Sequence, residues 1–116
     1  MIPVTVRIFV CTEPVDMRSG FDRLALLARD KLQQDPRSGV LLVFTGRRRD
    51  RLKAMWWDRN GYCILYKRFH ESVFELPAPA DANSGIAVRI DGQKLATLLA
   101  GQPKTRKTKA ALRIVR

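Results

Sequence analysis

Histidine and cysteine are scarce in this chain: 116 residues hold one of the first and two of the second. That is too few for the Cys/His frameworks of structural zinc sites, so no metal is expected. Cys11 and Cys63 stand far apart among apolar or aromatic neighbours. Each is expected to be a buried, reduced thiol acting as a small hydrophobe. Long apolar runs are missing too. The longest, such as Val40–Phe44, have strand length, far short of the roughly 18 residues a membrane-spanning helix needs. The first residues, Met1-Ile2-Pro3-Val4, show no basic region followed by a long apolar stretch. No signal peptide is expected, and the expected location is cytoplasmic, away from membranes.

Groupings with a catalytic mechanism are also lacking. His70-Glu71 beside Glu75 can be written as an acid–base pair, and Asp16, Asp22 and Asp30 as metal ligands. Neither set carries a spacing that a mechanism demands, because metal-dependent nucleases need carboxylates converging from different elements. The expectation is no enzyme, no cofactor and no metal.

The last scarcity is of acid. Eleven Asp+Glu stand against 22 Lys+Arg, for a net charge of +11. The excess is not spread evenly. Residues 46–68 carry +6 and residues 102–116 another +6, whereas 1–45 carry +1 and 69–101 carry −2. Concentrated positive charge is the footprint of a polyanion partner.

Local signals give an outline of the fold. The β-branched run Val4–Val10 predicts a strand, broken by Pro14. Ser19 with Asp22 three positions on resembles a capping box. Phe21, Leu24, Ala25, Ala28 and Leu32 follow at helical spacing, so an amphipathic helix is predicted as far as Gln34, before Asp35-Pro36. Val40–Phe44 reads as a buried strand after the turn chemistry of Arg37-Ser38-Gly39. Asn60-Gly61 is the strongest local signal. It predicts a type I′ hairpin joining Leu52–Trp57 to Tyr62–Phe69, or a longer loop over Asp58–Gly61. Residues 77–85 read as an irregular connector and Ile86–Ile90 as a short strand. Asp91 caps a last helix, Gly92–Ala100, which Gly101 ends. The expected fold is α+β: an antiparallel sheet of about four or five strands with a central hairpin, and one long and one short helix packed on it. Residues 1–101 form its single domain. Residues 102–116, basic and poor in large apolar groups, form a tail expected to be disordered alone.

Two basic stretches then become candidate sites. Arg47, Arg48, Arg49, Arg51 and Lys53 lead into one strand of the hairpin, Arg59 lies in its turn, and Lys67 and Arg68 end the return strand. Guanidinium groups pair with phosphate oxygens through two parallel hydrogen bonds and stay charged at any relevant pH. The tail adds Lys104, Arg106, Lys107 and Lys109, a basic arm that would raise affinity by counterion release. DNA is the expected partner. Trp56, Trp57, Tyr62 and Tyr66 lie beside the arginines. Adjacent strand residues face opposite ways, so one tryptophan is expected in the core, and an exposed ring could stack on bases. The alternative is an adaptor, in which Trp56, Trp57 and Tyr66 form an exposed patch for a protein partner.

Asp16-Met17-Arg18-Ser19-Gly20-Phe21-Asp22-Arg23-Leu24, then Pro36-Arg37-Ser38-Gly39, form one recognisable set with Phe44 through Arg68. Within it, Arg47–Lys53, Trp57–Gly61 and Tyr66–Arg68 are the most specific; Phe74, Pro77, Leu95, Leu98, Leu99 and Gly101 extend it. In combination they resemble the Orf2-like accessory proteins of bacterial insertion sequences of class 66, usually called TnpB there. The resemblance runs over about residues 4 to 101, with departures at Ser19, Arg23 and Ser72. It implies an accessory of transposition needed beside a separate transposase, with no established activity of its own. The transposase and other proteins of the insertion sequence join DNA as expected partners. A larger RNA-guided nuclease shares the short name. This chain lacks its length, carboxylate triad and paired CxxC motifs.

Overall fold

The computed structural model describes residues 6–77 and 86–104. In chain order they form β1 (Arg7–Cys11), α1 (Phe21–Asp30), β2 (Val40–Thr45), β3 (Arg51–Asp58) and β4 (Gly61–Arg68). Then come β5 (Ser72–Val73), β6 (Ala87–Ile90), α2 (Gly92–Ala100) and β7 (Gln102–Pro103). Five strands make one sheet in the order β4-β3-β2-β1-β6, and β5 pairs with β7 in a second, two-stranded sheet. The α+β fold is as expected, with a mostly antiparallel sheet. The exception is β1–β2, which pair in parallel with Arg7 opposite Val40 and Val10 opposite Val43. Parallel neighbours need a crossover, and α1 lies in that connection.

β2 is central, and every one of its residues is buried. Its sequence VLLVFT does not alternate because both faces of the sheet are covered. On one face Leu42, Phe44 and Met55 pack with Leu24, Ala25 and Ala28 of α1. On the other, Leu41, Val43 and Leu52 pack with Leu98 of α2 and with Phe74. The two helices thus lie on opposite faces. Cys11 is buried, and desolvation pushes its thiol up from its ordinary value. Cys63, expected to be buried, is only half-buried because β4 is an edge strand.

Two local expectations give way to tertiary structure. The first helix is shorter than its periodicity suggests. Gly20, not Ser19, is its N-cap, and no side chain caps it. The Ser19 carbonyl accepts from Lys53 Nζ at 2.7 Å. At the other end Gln33 takes a left-handed φ of 53°, which lets Gln34 N–H reach the Ala28 carbonyl at 3.0 Å. The helix has ended before Pro36 can stop it. The hairpin forms, but its turn is shifted. Asp58 pairs with Gly61, so Arg59 and Asn60 are the two loop residues, and Arg59 carries the positive φ, 58°.

The last helix follows its sequence signals. Asp91 accepts from Lys94 N–H at 2.8 Å, and Gly101 ends α2 at φ 81°. Gly101 is also sterically fixed. A Cβ there would lie 2.5 Å from Cζ of Phe69, whose ring packs on Phe74 with centroids 4.1 Å apart. Among the described residues no helix is long and apolar enough to cross a membrane.

Gly101→Ala is expected to cost about 2–4 kcal/mol, combining backbone strain with overpacking. Urea unfolding would read this as a lowered midpoint at unchanged slope. Phe69→Leu in the same chain should recover part of it, as a double-mutant cycle measures. Arg59→Gly should instead stabilise by about 0.5–1 kcal/mol, because glycine relieves the left-handed strain at some entropic cost.

Candidate nucleic-acid interface

Between β2 and β3 the chain makes a tight, fastened turn. Gly46 N–H donates to the Arg51 carbonyl at 3.1 Å and Arg49 N–H to the Gly46 carbonyl at 3.0 Å, with Arg49 at φ 60°. On one side the segment before α1 closes against it. Val15 N–H donates to the Thr45 carbonyl at 2.9 Å, and a Cβ on Gly46 would meet Met17 Cγ at 2.8 Å. On the other side Phe69 N–H donates to the Asp50 carbonyl and Phe74 N–H to the Arg49 carbonyl, both at 2.7 Å. With the backbone held from both sides, Arg47, Arg48 and Arg49 are all left exposed.

Strand pairing adds two more guanidiniums. Arg51 stands directly opposite Arg68 across β3–β4, and both are exposed. Like charges in that relation repel unless an anion intervenes. No protein carboxylate does so: among the described residues the one ion pair is Arg18–Asp16. Asp16 lies beside the turn, lining with Val15, Met17, Arg47, Arg48, Asp50 and Arg51 an open depression of about 440 Å³. Its carboxylate is fully engaged. Arg18 Nη2 donates to Oδ2 at 2.7 Å, Arg18 Nε to Oδ1 at 3.0 Å, and Arg18 N–H to Oδ1 at 2.9 Å. Among the described residues no carboxylate, Asp50 of the turn included, lies within ion-pair distance of Arg47, Arg48, Arg49, Arg51 or Arg68.

The two lysines expected beside them have other partners. Lys53 is only 9% exposed. Its Nζ donates to Ser19 and lies 4.9 Å from the Tyr66 ring centroid. Lys67 Nζ donates to the Leu99 carbonyl at 2.6 Å, in the last turn of α2, and lies 4.9 Å from the Phe69 ring. A cation near helix C-terminal carbonyls is favourably placed. Arg59 is at the far end of the hairpin, one residue past Asp58, which is about 23 Å along the strand from Arg51. Arg106, Lys107 and Lys109 lie outside the described residues, as does the predicted disorder of the tail from residue 105 on. Lys104 is described, and the residues just before it approach the turn. Gln102 pairs with Val73, and the next residue, Phe74, is bonded to Arg49. The root of the tail and the arginine turn are thus joined through one short strand pair.

The aromatics separate by face. Trp56 packs on the α2 side, with its indole Nε1 buried and unpartnered. Trp57 faces the other way, edge-on to Tyr62 at 4.9 Å and covered by the Arg37 guanidinium at 4.4 Å. The three-ring exposed patch is therefore not formed; Tyr66 is the exposed member, at 49%. Phe21, assigned by periodicity to the apolar helix face, is 48% exposed at the start of α1. Its position in the first turn, past the last core contact of the helix, was not visible in the spacing. Arg37 was also missed, since nothing local places it over Trp57.

His70, Glu71 and Glu75 sit around β5, with His70, Glu71 and Glu75 all exposed. Asp22 and Asp30 are exposed on α1, and Asp16 is held by Arg18. Among the described residues no three of His, Cys, Asp and Glu come together.

A mostly antiparallel five-stranded sheet with a helix on each face, and exposed arginines at one corner, defines a small α+β domain. The family model described as IS66 Orf2 like protein matches residues 6–109. Uncharacterized protein y4hO of Sinorhizobium fredii is 38% identical over 96 residues, covering 83% of this chain and 80% of that protein. Uncharacterized protein y4jC of the same species is 34% identical over 101 residues, covering 87% and 83%. No solved structure matches the chain. The chain belongs to the IS66 Orf2-like family, and that membership implies an accessory protein associated with transposition.

The Asp16–Arg18 clamp makes a pH prediction. Hydrogen bonds from the Arg18 side chain, then from its backbone N–H, lower the Asp16 carboxyl to about 2. The carboxylate thus stays ionised as pH falls from neutrality, and the clamp is lost only as pH drops through that value. Carbon-detected NMR titration should place the midpoint there, and Arg18→Ala should return it towards the ordinary value of about 3.9. An unmoved midpoint would assign the shift to some other group.

Proposed function

We propose that the protein is a cytoplasmic, non-catalytic accessory of transposition that binds DNA without sequence preference through its phosphates. Arg47, Arg48, Arg49, Arg51 and Arg68 are the contact set. The basic stretch beginning at Lys104 adds charge from a root close to the turn. The observation that carries this reading is the gathering of those five guanidiniums with no carboxylate within ion-pair distance of them among the described residues. Phosphate oxygens supply the missing anions, and the fork geometry of arginine suits them. Contacts to the phosphate backbone set position and affinity but do not read sequence. Lys53 and Lys67 support the site from within.

Binding of a short labelled duplex across a salt series tests this. Five phosphate contacts correspond to a logarithmic slope of about −4.5 for duplex DNA, or about 500-fold weaker binding between 50 and 200 mM salt. Each of Arg47→Gln, Arg48→Gln and Arg51→Gln should shallow the slope by about one and act alike on unrelated sequences. Affinity that ignores salt, or survives the triple substitution, would sink the proposal.

A further inference from the structure

We infer that the same corner takes unpaired DNA, with Tyr66 as the platform on which a base stacks. This rests on the phosphate reading above and narrows its ligand to single strands. The aromatics nearest the arginines are not equivalent. Trp56 is turned into the α2 side of the sheet, and Trp57 and Tyr62 cover each other beneath Arg37 at the turn end of the hairpin. Tyr66 lies at the other end. It is two residues before Arg68 on the same strand face, and directly opposite Lys53, itself two residues from Arg51. Residues two apart on a strand share a face about 7 Å from one another, so the ring and the Arg51–Arg68 pair form one continuous surface.

That ring is exposed yet fixed. Its strand is the outer edge of the sheet, with no further strand beyond it among the described residues. Beneath it Lys53 is nearly buried and anchored to the Ser19 carbonyl, with its ammonium 4.9 Å from the ring centroid. Half of the Tyr66 surface stays open. Phe21, similarly open, lies two residues beyond the anchored Ser19 at the start of α1. An exposed aromatic next to unpaired guanidiniums is what a single-strand site requires: stacking for the base, forks for the phosphates on either side. A duplex keeps its bases inside the stack and gives such a ring nothing to hold.

Fluorescence anisotropy with a labelled oligothymidylate and a mixed-sequence duplex of equal length, at one salt concentration, tests the inference. The intact chain should bind the single strand more tightly. Tyr66→Ala should weaken single-strand binding by about tenfold and change duplex binding less than twofold. Tyr66→Phe should retain the intact behaviour, and Tyr66→Leu, which keeps apolar cover without the aromatic face, should resemble Tyr66→Ala. Equal losses on both ligands would make Tyr66 a support of the fold and overturn the inference, as would no loss on either. Salt-dependent duplex binding with a silent Tyr66→Ala overturns the stacking alone; binding to neither ligand overturns the phosphate reading and this inference with it.

Discussion

Four arginines in five positions repel one another, and the turn that carries them exists because its backbone is tied down elsewhere. Two unit charges about 5 Å apart in water repel by about 0.8 kcal/mol, less with salt. A protein hydrogen bond contributes roughly 1 kcal/mol net. The turn between β2 and β3 has main-chain bonds on both sides: within itself, to Val15 before α1, and to Phe69 and Phe74 after β4. These offset the repulsion without using the guanidiniums. Had carboxylates done the work, the charges would be neutralised and the surface chemically ordinary. The anchors depend in turn on the Phe69–Phe74 stack, which closes over Gly101 at the end of α2. A packing detail on one face of the sheet therefore sets the geometry of a charged surface at its corner.

The interior lysines extend the same logic. A nearly buried ammonium is costly unless it keeps partners. Lys53 has a carbonyl and an aromatic ring, but no carboxylate in an ion pair among the described residues. Its Nζ thus sits beneath the surface that carries Arg51 and Arg68, and it adds a small part to the lowering of the Asp16 carboxyl that the Arg18 hydrogen bonds dominate. Lys67 works similarly at the end of α2. Both lysines join a sheet strand to a helix terminus. The basic block is thus a layered object, with fixed cations inside and forked cations outside.

Much of this was legible one element at a time. The apolar run Val40–Phe44 announces a strand covered on both sides, and Asp91 with Gly101 marks both ends of α2. What local pattern does not carry is which elements meet. The parallel β1–β2 pair follows from a crossover. The early end of α1 goes with the left-handed turn at Gln33, and its start is uncapped because the N-cap position falls on Gly20, which has no side chain to offer. The shifted hairpin turn makes Arg59 adopt the conformation that Asn60-Gly61 would have taken more easily, because pairing Asp58 with Gly61 completes the strand ladder. Lys53 and Lys67 look like surface charges because lysine is mostly a surface residue. Strand alternation puts Lys53 on the α1 face and Lys67 on the α2 face, where each finds a carbonyl.

The two basic blocks are separated in sequence by residues 69–101, and separation alone would make them independent contributions. The β5–β7 pairing removes that independence. Gln102 is held to Val73, one residue from the bond between Phe74 and Arg49, so the chain beyond Lys104 starts from the neighbourhood of the turn. Charges tethered close to an occupied site act at high effective concentration. On the proposed reading, the exposed arginines of the turn would set where a phosphate strand lies, and the charges that follow Lys104 in sequence would act from a root beside them. Affinity would then draw on both basic blocks while one corner of the sheet set the geometry.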